Sequence, residues 1–419
     1  MSTPPAGLPS VDEHLAAVLA VATTLEPLQV ALGEAVGCLL AEDVTAPGPL
    51  PPVGTALLDG YAVRLADVAG ATAATPVVLP VVGDVAVGAT TLPLSVQPGC
   101  TVRVGGGAPL PPGSEAVVPT AWTDGGLARV AVRQAPQPGA FARRPGEDLA
   151  AGSLLLASGT HLGPAQVALL AAVGAARVVV HPRPRVVVVS TARGLVEVGS
   201  SAGPGQTVDA NSHALAAAAR EAGAQPYRVG VLPEDPRRLA DALEDHLIRA
   251  DVVLGSGGGG GAVAGGGGDV VAEVLRRLGS VTTTRLALAP GGTFIVGTIG
   301  PDDTPYLGVP GPPLSALVAF ELFVRPALRS MLGLTPLHRP RVPVTLTRAV
   351  RSQEGARQFL RCGLRNEAGA WSATPLGGPG VHPLQGLGAA QALVEVPEAV
   401  TELAVGARCE AVLLERRQA

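Results

Sequence analysis

Four aspartates stand in turns or glycine-rich contexts, where a carboxylate could take part in chemistry. They are Asp59 in LLDGYAVR, Asp148 in RRPGED, Asp209 in TVDANS and Asp269 after a glycine tract. Carboxylates near phosphate-binding glycines repel an anion unless a metal ion or a proton mediates, so a cluster of them indicates magnesium. Each one alone is also a common cap or turn residue, and Asp269 and Asp209 both precede predicted helices.

Three turns follow predicted strands and could hold a ligand: Ser190–Gly194, Gly255–Gly268 and Pro310–Pro313. In an open parallel sheet, ligands bind beyond the carboxyl ends of the strands. Bare backbone N–H groups next to a helix N-terminus favour an anion, typically a phosphate. The alternative is that these glycines only permit tight turns.

Several familiar sites are excluded by residue type. All 30 basic residues are arginine, so a phosphate-loop lysine, a kinase-type lysine and a Schiff base are impossible. The glycine tract matches GxGxxG by repetition alone, and Gly199–Gly203 matches GxSxG without joining a strand to a helix. The seven histidines are scattered and no HExxH occurs, so a histidine metal site is unsupported.

The composition limits the kinds of molecule that the protein could bind. A net charge of −4 and 2% aromatic residues argue against binding to nucleic acid or to anionic membranes. The most apolar tract, residues 162–180, is interrupted by Pro164, Gly174 and Arg177, and predicts a short helix and a strand rather than a membrane span. The N-terminal segment lacks the features of a signal peptide, and the four dispersed cysteines are typical of a reducing compartment. We therefore expect a cytoplasmic protein.

The elements that must position these residues can be predicted from apolar periodicity. Helical spacing begins at Val11 and again over Leu32–Leu40. Short β-rich runs between Pro/Gly turns predict a compact β domain over residues 48–148. Strands then alternate with helices between Arg183 and Gly333, which predicts a doubly wound α/β domain, and a β-rich segment follows Pro336. The α/β elements are expected at strand 185–190, helix 212–222, strand 227–232, helix 234–250, strand 251–256, helix 270–278, strands 293–297 and 306–309, and helix 314–331.

Longer motifs occur in a fixed order over nearly the whole chain. They are DGYAVR at 59–64, GAPLPPGSEAVVP at 107–119, RRPGED at 143–148, ST at 190–191, DANS at 209–212, SGG at 256–258, VPGPPLSALVAFELFVRPAL at 309–328 and ALVEVP at 392–397. Together these motifs resemble the molybdopterin molybdotransferases, the family that includes the gephyrin E domain.

The resemblance implies an elongated multidomain chain of the α/β plus β class. Its domains would be a dimerisation domain (1–47 and 149–182), an inserted β domain (48–148), a molybdopterin-binding-type α/β domain (183–335) and a C-terminal β domain (336–419). It further implies a homodimer, with the active site in a cleft between the α/β domain of one subunit and the inserted domain of the other.

The implied reaction takes adenylated molybdopterin, with magnesium and molybdate, inserts molybdenum into the dithiolene and releases AMP. The matching catalytic positions are Asp59, Asp148, Asp209 and Asp269, of which Asp209 and Asp269 would hold Mg²⁺. The matching positions that would bind the pterin substrate are Ser256, Gly257, Gly258, Pro310, Gly311, Pro313 and Ser315.

The sequence also departs from the family pattern at polar positions. The threonine of TGAP is Gly106, and the lysines of MKPGKP are Ala289 and Gly292. An acidic pair is replaced by Arg193-Gly194. The asparagine of PGNP is Pro312, and the serines of a C-terminal loop are Gln385 and Gly386.

Two hypotheses therefore stand. The protein is a transferase in which Arg193 or another arginine replaces the lost lysines, since the guanidinium is a good phosphate fork. Alternatively, it is a catalytically silent paralogue that keeps the dimer as a scaffold for a protein partner.

Overall fold

The computed structural model describes residues 7–90, 94–257, 269–377 and 384–414. Two compact units form: unit 1 comprises residues 1–29, 37–39 and 179–419, and unit 2 comprises residues 30–36 and 40–178. Within the described ranges no helix has the length and apolar character needed to cross a membrane.

The elements of the first 181 residues are mostly short strands. The helices are α1 (Val11–Val21), α2 (Leu65–Val68) and α3 (Pro164–Ala172). The strands are β1 (Leu28–Ala31), β2 (Leu39–Leu40), β3 (Val44–Thr45), β4 (Thr55–Ala56), β5 (Gly60–Val63), β6 (Val77–Val85), β7 (Thr101–Val104), β8 (Ala116–Pro119), β9 (Arg129–Val132), β10 (Ala142–Arg143), β11 (Leu154–Leu156) and β12 (Arg177–His181).

From residue 185 onward, longer helices alternate with strands. The helices are α4 (Asn211–Glu221), α5 (Pro236–Leu247), α6 (Val270–Leu278), α7 (Pro313–Ala319) and α8 (Arg325–Met331). The strands are β13 (Arg185–Thr191), β14 (Leu195–Val196), β15 (Thr207–Val208), β16 (Gln225–Leu232), β17 (Val252–Gly257), β18 (Gly279–Arg285), β19 (Leu288–Ala289), β20 (Thr293–Ile299), β21 (Thr304–Val309), β22 (Arg341–Leu346), β23 (Val350–Arg351), β24 (Arg357–Glu367), β25 (Ala370–Pro375), β26 (Ala392–Val396), β27 (Glu402–Leu403) and β28 (Arg408–Leu413).

Unit 2 is built around a five-stranded sheet in the order β8-β5-β7-β6-β9. Every residue of β5 is buried because alternate side chains enter two cores on opposite faces of the sheet. Tyr61 and Val63 belong to one core, and Ala62 belongs to the other together with Val102 and Val117. This sheet provides the β structure that the sequence predicted between residues 48 and 148.

The helix predicted over Leu32–Leu40 does not form. That segment contains a single 3₁₀ turn over Leu32–Glu34, and the two-residue strand β2. Gly37 adopts a φ of +82°, which ends helical geometry, and Val36 is 47% exposed. The apolar spacing is therefore helical, but the left-handed backbone at Gly37 ends the helical geometry.

Unit 1 contains a six-stranded sheet in the order β16-β13-β17-β21-β20-β18. The first four strands are parallel to one another. Strand β20 is antiparallel to its neighbour β21, and β18 is antiparallel to β20. Along β13, Val186 and Val188 enter one core while Val187 and Val189 enter the other, so both faces of the sheet are covered. The predicted doubly wound α/β architecture is confirmed, with an antiparallel edge strand, β18, that the sequence did not predict.

The helices of this domain begin where the chain offers caps. Helix α5 begins at Pro236 rather than at the predicted Glu234, because the Asp235 side chain accepts a hydrogen bond from Arg238 N. The helix predicted over residues 314–331 is continuous, with a π-helical turn over Phe320–Val324 between α7 and α8.

The C-terminal part of unit 1 forms a second sheet in the order β19-β24-β25-β22-β28-β26, and β24 also pairs with β26. The additional pairing closes five strands into a barrel. Helix α1 packs within unit 1 as well, since the Asp12 carboxylate accepts a hydrogen bond from Arg357 at 2.9 Å. Its His14 ring lies 5.2 Å and 4.8 Å from the ring centres of Phe294 and Phe323.

Candidate active site

The carboxyl edge of the unit 1 sheet collects the polar turns. Strands β13, β17 and β21 are parallel neighbours, so Ser190 pairs with Ser256, and Ser256 pairs with Val309. The turns after these three strands therefore begin at one level of one sheet edge. This is the position in which open α/β sheets bind their ligands.

Asp209 lies at this edge and is 1% exposed. Its Oδ1 accepts hydrogen bonds from Ser190 Oγ (3.0 Å) and from Ser212 N (3.1 Å), and its Oδ2 accepts one from Ser212 Oγ. Arg228 Nη1 donates to Ser212 Oγ (3.2 Å) and forms an ion pair with Glu197. The buried carboxylate thus positions the start of α4, and its partner Ser212 is held in turn by Arg228.

Asn211, the first residue of α4, holds two of the turns together. Its Nδ2 donates to Ser256 Oγ at 2.6 Å and to the Gly311 carbonyl at 2.7 Å. We call this set of contacts the Asn211 clamp. It fixes the end of β17 against the turn that follows β21, so the backbone around both is preorganised.

Replacing Asn211 with alanine tests the clamp. Ser256 Oγ and the Gly311 carbonyl would each lose a donor in a buried setting, and we expect the free energy of unfolding to fall by about 1–3 kcal/mol. The measurement is urea unfolding. The matched control is His213→Ala on the exposed face of the same helix, which should change stability by less than about 0.5 kcal/mol. Equal stability of the two variants would contradict the role of the clamp.

Asp269 is the N-cap of α6, as the sequence predicted. Its Oδ1 accepts hydrogen bonds from Val271 N (3.1 Å) and Ala272 N (3.2 Å). Its Oδ2 is buried and accepts no hydrogen bond from the described part of the chain. Burial raises the pKa of the neighbouring Tyr306 hydroxyl, and the charge of Asp269 raises that pKa further. A buried acceptor without a donor is suited to a hard cation.

The glycines at the edge differ in what they require. Gly257 has a φ of +94°, and a Cβ there would lie 1.9 Å from the Thr191 carbonyl oxygen, so only glycine is accommodated. A Cβ on Gly311 would lie 3.9 Å from Gly257 Cα, which shows how closely the two turns approach. Pro310 and Ser315 are buried, and Pro313 opens α7. Gly258 lies outside the described residues.

Comparisons with known proteins match nearly the whole chain. Three family models match: the MoeA N-terminal region (domain I and II) at residues 9–174, a probable molybdopterin binding domain at 187–330 and the MoeA C-terminal region (domain IV) at 343–414. Molybdopterin molybdenumtransferase 1 of Mycobacterium tuberculosis (strain H37Rv) is 40% identical over 417 residues, covering 95% of this chain and 97% of that protein. The chain belongs to the molybdopterin molybdenumtransferase family.

Other members support the assignment. Molybdopterin molybdenumtransferase 2 of the same strain is 39% identical over 403 residues, covering 96% of this chain and 98% of that protein. A crystal structure of the molybdopterin biosynthesis MoeA protein from Pyrococcus horikoshii aligns with a TM-score of 0.78 and 31% identity, covering 98% of this chain and 100% of that one. The family fold therefore extends over the full length.

Several departures from the family pattern are built into the packing. A Cβ on Gly292, where the pattern has lysine, would lie 2.6 Å from Pro310 Cβ. A Cβ on Gly106, where it has threonine, would lie 3.1 Å from Leu58 Cα. Real Cβ atoms rarely approach other atoms so closely. Pro310 and Leu58 would therefore have to move before lysine or threonine could be placed at these two positions.

The arginines of unit 1 are placed differently from the expectation. Arg193 is 83% exposed and pairs with Glu234 at 3.1 Å, so its charge is already partnered at the surface. Arg361 is 6% exposed, burial lowers its pKa, and a Cβ on Gly386 would lie 2.9 Å from its Nη1.

The other two predicted carboxylates lie in unit 2. Asp59 Oδ1 accepts a hydrogen bond from Gly106 N at 2.7 Å, which fixes that carboxylate beside the substituted threonine position. Asp148 is half exposed and pairs with Arg143, whose Nε lies 3.1 Å from Oδ1. Over the described residues, no three His, Cys, Asp or Glu side chains are grouped as a metal site would need.

Proposed function

We propose that the chain is an active molybdopterin molybdenumtransferase, which binds adenylated molybdopterin, inserts molybdenum from molybdate into the dithiolene and releases AMP. The observation that carries the proposal is the Asn211 clamp, because it holds two glycine-rich turns ready at the ligand-binding edge of the sheet. The full-length identity of 39–40% to two transferases supports the same activity.

The turns supply the phosphate subsite in this proposal. At the start of α7 the backbone N–H groups of Leu314 and Ser315 are the proposed donors, since Pro310, Pro312 and Pro313 carry no N–H. Gly257 keeps the backbone at the end of β17 close to β13, because a Cβ there would lie 1.9 Å from the Thr191 carbonyl oxygen. The proposed residues of this subsite are Ser256, Gly257, Gly258, Pro310, Gly311, Pro313 and Ser315.

Magnesium fits the donor set at one clear point. Asp269 Oδ2 is a buried acceptor that no donor of the described chain satisfies, and Mg²⁺ is commonly held by one or two carboxylates together with substrate phosphates. When bound, the ion would neutralise charge that develops on the phosphate. We propose Asp269 as its main ligand and Asp209 as the second, although three internal hydrogen bonds already orient the Asp209 carboxylate.

Asp59 and Asp148 are the proposed catalytic carboxylates of unit 2. Their environments differ, since Asp59 is oriented by a backbone N–H while Asp148 is neutralised by Arg143. A carboxylate held by a single backbone donor keeps one oxygen available to accept a hydrogen bond from the substrate. We therefore propose that Asp59 binds the substrate and that Asp148 is a positioning residue.

The family also supports proposals about organisation. We propose the four domains bounded at residues 48, 149, 183 and 336, and a homodimer. All four cysteines are free, and Cys38 and Cys362 are buried. Burial raises the pKa of the Cys362 thiol to about 12, so this group is inert, which supports a reducing, cytoplasmic setting.

The deciding experiment measures AMP release from adenylated molybdopterin by the purified chain, with magnesium and molybdate present. We expect many turnovers per protein, dependent on both additions. The reaction without molybdate is the control for simple hydrolysis. A folded dimer that releases no AMP would contradict the transferase proposal and favour a silent scaffold.

A further inference from the structure

Unit 2 contains a pocket of about 420 Å³ beside its five-stranded sheet. Its polar lining includes Asp59, Asp84, Arg103 and Thr120, and its apolar lining includes Val85 and Val104. The volume is in the range of small-molecule sites, and a few polar groups on apolar walls are typical of them. The transferase proposal uses Asp59 alone of these residues, so the rest of the pocket is unassigned.

Asp84 and Arg103 face each other across the parallel pair β6 and β7, where they are register partners. Arg103 Nε donates to Asp84 Oδ1. Among the described residues, this contact leaves the two terminal nitrogens of Arg103 and Oδ2 of Asp84 for a ligand. The side chains are 44% and 61% exposed. The pair therefore presents donors directly beside an acceptor at the mouth of the pocket.

The net charge of the pocket limits which ligands it can bind. Two carboxylates and one guanidinium leave a net charge of −1, which disfavours a free phosphate or molybdate. Asp59 is fixed by Gly106 N through Oδ1, so its Oδ2 is a second acceptor. A complementary ligand has an N–H beside a C=O on one edge, a further N–H group close by and a flat apolar body.

We infer that this pocket binds the 2-amino-4-oxopyrimidine ring of the pterin substrate, with Asp84 and Arg103 as its specificity-determining residues. The ring carries N3–H next to the C4 oxygen, which matches Asp84 Oδ2 next to the Arg103 donors. Its 2-amino group offers the further N–H for the second carboxylate. The inference rests on the proposed function for the identity of the substrate.

The test is a fluorescence titration of the full-length chain with free pterin, without molybdate or magnesium. We expect saturable binding that Asp84→Asn and Arg103→Gln each weaken by about tenfold or more, as for charged hydrogen bonds. Lumazine, which has an oxygen in place of the 2-amino group, and N3-methylpterin should also bind at least about tenfold more weakly. The matched control is Arg129→Gln, an exposed arginine of the same sheet outside the pocket.

A double variant separates recognition from a structural role. Exchanging the pair as Asp84→Arg with Arg103→Asp restores an ion pair between β6 and β7 but reverses the donor and acceptor. If the pair only stabilised the sheet, the exchange would restore pterin binding; we expect the loss to persist while the thermal midpoint recovers. Recovery of binding in the exchanged protein would overturn the inference.

Other outcomes are equally decisive. Unchanged pterin affinity in both single variants, no binding of pterin to the wild type, or displacement of pterin by inorganic phosphate would each overturn it. AMP release measured in parallel keeps the two proposals apart. Pterin binding of the expected specificity without AMP release would refute the transferase and leave this subsite standing, whereas turnover unaffected by both variants would do the reverse.

Discussion

Replacing Asp269 with asparagine is expected to lower the rate of AMP release by at least about 100-fold while leaving the fold intact. A bound metal ion contributes several kcal/mol to transition-state stabilisation, and about 1.4 kcal/mol corresponds to a factor of ten. Asparagine is as good an N-cap as aspartate, so the contacts to Val271 N and Ala272 N survive. The buried Oδ2, by contrast, is exchanged for an amide nitrogen that cannot bind a cation.

The chain offers a matched control for this variant. Asp235 caps α5 in the same manner, through a hydrogen bond from Arg238 N, but lies on another helix. Asp235→Asn should leave both turnover and the thermal midpoint unchanged. Magnesium binding by calorimetry gives a second readout, since Asp269→Asn should raise the dissociation constant of Mg²⁺ in the presence of the adenylated substrate. Equal turnover and equal magnesium affinity in the two variants would remove Asp269 from the site.

Much of the α/β domain could be predicted because its strands are unmixed apolar runs. RVVVVS and DVVLGS are buried on both faces, so composition alone identifies them. The edge strand β18 was missed because GSVTTTR is polar and mostly exposed, without the apolar alternation of a half-buried strand. The helix predicted over Leu32–Leu40 was wrong for a different reason. Its apolar spacing is helical, but the left-handed backbone at Gly37 prevents a helix.

The candidate site divides along similar lines. Asp209 and Asp269 could be predicted as residues that start helices, because short polar residues before an apolar period are typical caps. The contacts around Asp209 could not be predicted. Ser190, which donates to Asp209, and Arg228, which donates to Ser212, lie on neighbouring strands whose register the sequence does not contain. The pairing of Asp84 with Arg103 likewise depends on the parallel register of β6 and β7, 19 residues apart. The residue types at the site could be predicted from the sequence, whereas the contacts between strands could not.

The stability of unit 1 is expected to depend on pH through His14. This ring is 5% exposed between Phe294 and Phe323, and burial lowers its pKa from 6.5 to about 4. The unfolded chain therefore binds this proton more readily than the folded one. The stabilisation by neutral His14 is fully present above pH 6.5 and is lost as the pH falls toward 4. At about 1.4 kcal/mol per pKa unit, the loss amounts to about 3 kcal/mol.

His14→Phe should remove the His14 contribution to this slope, because a phenyl ring keeps the edge-to-face packing and has no proton to gain. A smaller slope remains, since burial also lowers the pKa of His246 and of His338. The measurement is urea unfolding between pH 7 and 4, followed by Trp371 fluorescence in a Trp122→Phe background. Any constant packing penalty of the new ring shifts the curve without changing its slope.

Asp12 also titrates, but Arg357 holds its pKa below 3.8, so its contribution is lost only under more acidic conditions. His213→Phe, at an exposed site on α4, is the control and should keep the wild-type slope. If His14→Phe keeps the wild-type slope as well, protonation of the buried His14 does not contribute to the pH dependence of stability.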